Sequence, residues 1–202
     1  MKKIPVLVCV AVSTTVLLVF CNQPEAREQT TAADATTEAA PMSHDSLVKR
    51  GGYLVSIMGC NDCHTPKKMG PQGPVLDEER ILSGHPSDVP VAPYDGNTAK
   101  NWILFNQMLT NYVGPWGTSY SANLTPDSTG IGSWSEAQFL KAIREGKYKG
   151  LDNTRPLLPP MPWQEFRNAT DLDLKAIFAY LKSIKPVKNV VPTAKINMPP
   201  KS

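Results

Sequence analysis

The chain has 202 residues, with 21 Lys and Arg against 18 Asp and Glu for a formal net charge of +3. So small a charge argues against nucleic acid as the main partner. Its 19 prolines are about double ordinary usage, and eight of them fall between residues 65 and 126. That density disfavours a regular bundle, a coiled coil or a doubly wound sheet, and suits a fold whose long connections wrap something.

Lys2 and Lys3 precede the run from Ile4 to Phe20, whose only polar members are Ser13, Thr14 and Thr15. A charged start followed by an apolar stretch of this length is a targeting segment. Cys21 follows, and then residues 22–41, rich in Thr, Ala and Glu and without apolar periodicity, which is the composition of a flexible spacer. A signal that ends at a cysteine and runs into such a spacer resembles that of a bacterial lipoprotein, with Cys21 as the lipidated residue. An uncleaved helical anchor and ordinary cleavage are the other readings. All three export the rest of the chain, so the expected location is the periplasmic side, tethered to the membrane through a lipid or a helix. The expected organisation is a targeting segment at 1–21, a spacer at 22–43, one folded domain at 44–192 and a C-terminal tail at 193–202. About 160 residues remain beyond the spacer, ample for one hydrophobic core.

The first helix is predicted from about Asp45 to Met58, with Leu47, Leu54, Val55 and Met58 facing inward. Gly51 and Gly52 interrupt it, each at about 1 kcal/mol relative to Ala, so a packing reason is expected. Of four cysteines, Cys9 and Cys21 belong to the targeting segment, leaving Cys60 and Cys63 in the run CNDCH. This is the C-x-x-C-H pattern of c-type haem attachment. Thiols three residues apart on a turn reach the two vinyl groups of one haem, and His64 then places its imidazole under the iron. A redox dithiol is expected near a β-α-β pattern, which is missing, and zinc needs further Cys or His ligands, whereas His44 and His85 are scattered. One covalent haem c, with its iron, is the expected cofactor.

Within residues 66–121, the least typical part, the runs KKMGPQGPVLDEER and GHPSDVPVAPYDGN read as ordered but irregular wraps. The run WILFNQMLTNY at 102–112 fits neither the helical nor the strand period cleanly. A short hairpin is expected, with TSYSANL as partner and Gly114-Pro115-Trp116-Gly117 as turn, covering a haem edge. A helix follows Trp134, opened by the capping box from Ser135 to Gln138, with Phe139, Leu140 and Ile143 as core and Gly146 as its end. Met161 lies in RPLLPPMPW, between Pro160 and Pro162. Prolines fix φ and remove backbone donors, so the loop is stiff and cannot be helical. It can hold a thioether at one point, which makes Met161 the candidate sixth iron ligand, with His85 as the rival. Arg155, in the same loop, is a candidate to neutralise a haem propionate. The last helix starts at Thr170, carries the stripe Leu174, Ile177, Phe178 and Leu181, and is stopped by Pro186.

Four stretches, CNDCHTP, NLTPDSTGIGSWSEAQF, RPLLPPMPW and DLDLKAIFAYLKSIKPV, together resemble class I c-type cytochromes. The likeness is to the bacterial single-haem type, with a long insertion between the CxxCH motif and the methionine loop. The resemblance implies an all-α fold, a small helical shell around one covalent haem, with long Pro-rich loops and a short β-hairpin insertion. It also implies that a glycine of the first helix lets the last helix cross closely against an aromatic, Tyr180 or Phe178. A further implication is that the indole N–H of Trp134 approaches a haem propionate.

Capping by His64 and Met161 leaves no open position on the iron, so the expected role is one-electron transfer, a carrier and not an enzyme. The expected partners are a redox donor and acceptor such as a dehydrogenase, an oxidase or another cytochrome. Two alternatives accompany this reading. The NLTPD and PPMPW stretches resemble cytochrome c subunits of periplasmic alcohol or sugar dehydrogenases, and a labile Met161 would make the protein a haem sensor or peroxidase. Lys141, Arg144, Lys147, Lys149 and Lys182 either steer an acidic partner or form an ordinary solvated face.

Overall fold

The computed structural model describes residues 42–197. The targeting segment, the spacer up to residue 41 and the last five residues lie outside the described residues, and with them Cys21 and the tether expected there.

Helix α1 (His44–Ile57) is capped by Ser43, whose hydroxyl accepts the Ser46 N–H at 3.2 Å. It ends at Met58, and the short turn α2 (Cys60–His64) follows directly. Helix α3 (Glu136–Glu145) opens on both halves of the expected capping box. The Ser135 hydroxyl accepts from Gln138 N–H at 3.2 Å, and the Gln138 side chain accepts from Ser135 N–H at 3.0 Å. The turn α4 (Trp163–Phe166) and the helix α5 (Asp171–Ser183) complete the helical set. At the start of α5, Thr170 accepts the Asp173 N–H at 3.1 Å, while the Asp173 carboxylate takes the Thr170 hydroxyl at 2.8 Å.

The glycines of α1 have the packing reason their cost demands. A Cβ on Gly51 would overlap the Ala176 carbonyl of α5, and one on Gly52 would stand 3.1 Å from the Tyr180 ring. Tyr180 is therefore the aromatic at the crossing. Phe178 packs instead on Phe139 of α3, with ring centroids 5.3 Å apart. Val55, Leu82, Ile131, Phe139, Leu174, Ile177 and Leu181 form the buried cluster between these helices, and Leu54 and Met58 pack against it half-buried. Each such aliphatic or aromatic side chain contributes about 1.5–3 kcal/mol when fully withdrawn from water.

The fold is not all-α. Among the described residues helix accounts for 35% and strand for 14%, with two antiparallel sheets of six strands in total, so the architecture is mixed α/β. Strands β1 (Lys67–Gly70) and β2 (Gly73–Leu76) make a hairpin in the stretch read as an irregular wrap. Strands β3 (Leu104–Phe105), β4 (Asn111–Gly114), β5 (Gly117–Tyr120) and β6 (Lys195–Ile196) form a second sheet in that order. Its central hairpin pairs Gly114 with Gly117 across Pro115-Trp116, as the turn chemistry suggested. Gly117 has φ +109, and a Cβ there would overlap the Lys195 carbonyl of β6. The extra strands are two to four residues long, too short for any period to register, and β6 pairs with a strand some eighty positions earlier.

Candidate functional site

Gly59, at φ +67, turns the chain from α1 into the cysteine-bearing turn. The turn is tied on two sides. Lys67 donates its ammonium to the carbonyls of Thr65 at 2.9 Å, Asn61 at 3.3 Å and Asp62, capping the C-terminal end of α2. The Thr65 hydroxyl donates to the Asn61 side chain at 2.8 Å and accepts the Leu82 N–H at 2.9 Å, fixing the turn to the core.

His64 is 8% exposed, and its Nδ1 lies 2.8 Å from the Ala122 carbonyl oxygen. A carbonyl only accepts, so the proton sits on Nδ1 and the Nε2 lone pair is left for a metal. Burial pushes the His64 pKa below the ordinary imidazole value, which favours that neutral tautomer. Burial also pushes the Cys60 thiol up to about 11.

The methionine loop is anchored where α3 ends. Gly146, at φ +64, terminates that helix, and its carbonyl accepts the Leu157 N–H at 2.7 Å. The Tyr148 N–H donates to the Arg155 carbonyl at 3.0 Å, and within the loop the Met161 N–H reaches the Leu158 carbonyl at 3.2 Å. The Trp163 ring covers Gly146, where a Cβ would overlap the indole.

Cys60, Cys63, His64, Trp134, Arg155 and Met161 all line one cavity of about 790 Å³. Its other walls include Phe139, Leu158, Ile177 and Leu181. The volume falls in the range of about 300–1,000 Å³ typical of cofactor sites. Among the described residues no group of three or more His, Cys, Asp and Glu side chains is placed to hold a bare metal ion. The cavity instead offers two thiols, one imidazole with a free Nε2 and two thioethers, those of Met58 beside the cysteine-bearing turn and Met161 in the proline-framed loop, within largely apolar walls. That donor set fits haem c and does not fit zinc.

His85 is not brought to this cavity. It is fully buried elsewhere, with its Nε2 3.0 Å from the Val89 carbonyl and its Nδ1 2.9 Å from the Thr110 hydroxyl. The carbonyl forces Nε2 to donate and Nδ1 to accept, so both ring nitrogens are used. Arg155 stacks on Tyr148, with its guanidinium carbon 3.9 Å from the ring centroid, and donates to the Pro156 carbonyl at 2.9 Å. Burial lowers its pKa.

Several wall residues escaped the sequence reading. Tyr112 is buried in β4, donates its hydroxyl to the Leu109 carbonyl and lies 2.8 Å from the Ser121 hydroxyl. Desolvation drives its pKa far above the ordinary phenol value. Tyr148 and residues 190–194 also line the cavity. Tyr148 reaches the wall from the turn after α3, paired with Arg155, and residues 190–194 reach it only by the return of the chain.

Most of the candidate steering cations are engaged with their own protein. Lys141 pairs with Asp152, and Arg144 pairs with Asp171 at 2.5 Å. Lys182 donates to the carbonyls of Gly132 and Ile131. Among the described residues no helix is long and apolar enough to cross a membrane.

No protein-family model matches the chain. Individual relatives do. Over 160 residues, 79% of this chain and 27% of the relative, it is 32% identical to the gluconate 2-dehydrogenase cytochrome c subunit of Pantoea cypripedii. Over 145 residues, 71% of this chain and 23% of the relative, it is 30% identical to the cytochrome c subunit of the quinone alcohol dehydrogenase of Gluconobacter oxydans. Its homologues are cytochrome c subunits of dehydrogenases. A shorter match, 45% identical over 86 residues, is to a nicotinate dehydrogenase subunit of Pseudomonas putida, covering 42% of this chain and 7% of that protein. The chain thus spans about a quarter of the length of the two cytochrome c subunits.

Proposed function

We propose that this protein carries single electrons on one covalent haem c, and that its electron donor is a dehydrogenase. The observation that carries the reading is the common cavity onto which Cys60, Cys63, His64 and Met161 open. Cys60 and Cys63 hold the cofactor through thioether bonds, and His64 and Met161 bind its iron. Trp134 and Arg155 serve its propionates. When bound, the haem supplies a reversible one-electron couple between ferric and ferrous iron. The single C-x-x-C-H motif in this sequence supports one such group.

The protein's own part is to hold and to exclude. The Ala122 carbonyl keeps the His64 ring in one tautomer and one orientation. The proline-framed loop keeps the thioether from wandering, and the apolar walls keep water away, which raises the cost of the ferric charge and favours a positive potential. With the same ligands in both oxidation states, little has to move during transfer. The chain is exported and tethered to the membrane through Cys21 or the apolar segment before it, facing the periplasm.

The absorption spectrum of the reduced holoprotein with and without carbon monoxide tests this reading. The wild type is expected to leave the Soret band unmoved, and Met161→Ala to bind carbon monoxide and lower the potential. A Met161→Ala protein indistinguishable from wild type would remove Met161 as ligand, and a wild type that binds carbon monoxide would favour sensing or catalysis. Mass spectrometry of the membrane-extracted chain tests the lipid. A mature N-terminus beyond Cys21 would exclude it.

A further inference from the structure

The methionine loop is poor in the groups that usually anchor a loop. Pro159, Pro160 and Pro162 have no N–H to donate, so contacts from outside must be made to the carbonyls. One such contact comes from the insertion. Ser119 of β5 is 4% exposed, and its hydroxyl donates to the Pro159 carbonyl at 2.6 Å, forty residues away and two before Met161. The same hydroxyl oxygen accepts the indole N–H of Trp116 at 3.1 Å. One donor and one acceptor therefore fix the rotor of Ser119 and aim its proton at the loop.

The hairpin turn is shaped for this contact. The Trp116 ring folds back over Gly114, where a Cβ would stand 2.6 Å from the indole. The Trp116 carbonyl accepts the Asn197 N–H at 2.9 Å, so the strand that closes the sheet also braces the tryptophan.

We propose that Ser119, set by Trp116, is the positioning residue that holds the Met161 loop against the cavity, and that the β4–β5 hairpin is the buttress for the sixth ligand. This rests on the reading of Met161 as that ligand. The serine lines the cavity, and its hydroxyl is directed to the loop. It acts through the Pro159 carbonyl, which loses this part-buried hydrogen bond when the hydroxyl is removed.

The test uses holoproteins of wild type, Ser119→Ala, Trp116→Phe, Met161→Ala and Thr118→Val. Thr118 is an equally buried neighbour on the same strand that does not line the cavity. Two readouts report on the thioether bond: the rate of carbon monoxide binding to the reduced form, and the methionine-to-iron charge-transfer band of the oxidised form. Ser119→Ala is expected to speed carbon monoxide binding by about tenfold and to weaken the band. Trp116→Phe should move both the same way by a smaller factor, with Thr118→Val matching wild type. Equal shifts in Thr118→Val and Ser119→Ala would mean general loosening and overturn the inference. So would a Ser119→Ala protein identical to wild type while Met161→Ala opens the site. A Met161→Ala protein identical to wild type sinks the ligand reading itself. If Ser119→Ala takes up no haem, Trp116→Phe decides, and an unchanged Trp116→Phe overturns the inference.

Discussion

The imidazole of His64 donates its Nδ1 proton to the Ala122 carbonyl across fifty-eight positions of sequence, at 2.8 Å. Ala122 is itself exposed, so its carbonyl is held by neighbours. The Ser121 N–H reaches the Thr110 carbonyl at 2.9 Å, and the Ser121 carbonyl accepts the His85 N–H at 3.0 Å. On the other side, the Asn123 side chain donates to the Val187 carbonyl at 2.8 Å and accepts from Thr125. The buried His85, which lies off the cavity, thus helps through its backbone N–H to hold the carbonyl that orients His64.

Asn123→Ala removes this support and leaves the buried Thr125 N–H without its acceptor, while the Val187 carbonyl keeps only the Thr125 hydroxyl at 3.2 Å. The expected cost is about 1–3 kcal/mol of stability, a fall of about 2–12 °C in Tm for a domain of this size. Thermal unfolding of the holoprotein measures it. A Tm within a degree of wild type would show that the loop does not depend on Asn123.

Gly51→Ala drives a methyl group into the Ala176 carbonyl and the Tyr180 side chain. The helices must separate, at about 1–3 kcal/mol. Gly52→Ala, where the Tyr180 ring tip is the obstacle, should cost less. Denaturant titration of both variants checks the order, and a stabilised Gly51→Ala protein would contradict the crossing described above.

Arg50 donates through its Nε to Asp173 at 2.8 Å, joining α1 to α5. Burial alone would raise the Asp173 pKa. Hydrogen bonds from Thr170 and Arg50 outweigh it and hold the carboxyl below the usual aspartate range. A folded-state pKa below the unfolded one, which is about 3.9, gives stability that is present above that pH and lost as pH falls through the folded value. Asp173→Asn should therefore be less stable than wild type at pH 7 and lose less of its stability between pH 4 and pH 2. Urea midpoints at the two ends measure this, and parallel acid limbs would refute it.

Arg155 brings a positive charge to the cavity wall. Reduction removes one positive charge from the iron, so a nearby cation favours the reduced form. Arg155→Gln is expected to lower the midpoint potential by a few tens of mV, up to about 60 mV for a tenfold effect on a one-electron couple. Potentiometric titration checks it. A rise in potential would place the guanidinium's influence elsewhere.

What the sequence made legible was whatever local chemistry encodes. C-x-x-C-H is a covalent pattern, the proline frame of Met161 is a backbone constraint, and Ser135 with Gln138 is a self-contained cap. The Gly51 cost pointed to a packing reason and the family resemblance to a close crossing, although only the structure chooses Tyr180 over Phe178. The class assignment failed where pairing is non-local. Strands of two residues carry no period, and neither β6 nor the strap before it gives any local sign that it returns to β5 and the cavity. Ser119 was invisible as a contact of Pro159 for the same reason.

Residues 190–194 wall the cavity, and Lys195–Ile196 fasten them beside Gly117 and Thr118. A chain emerging N-terminus first delivers Cys60, Cys63, His64 and Met161 before this wall arrives. Until then the chamber is an open trough on that side, accessible to a bulky planar guest and to whatever machinery delivers it. Chain order thereby places the proposed ligands ahead of the segment that closes over them.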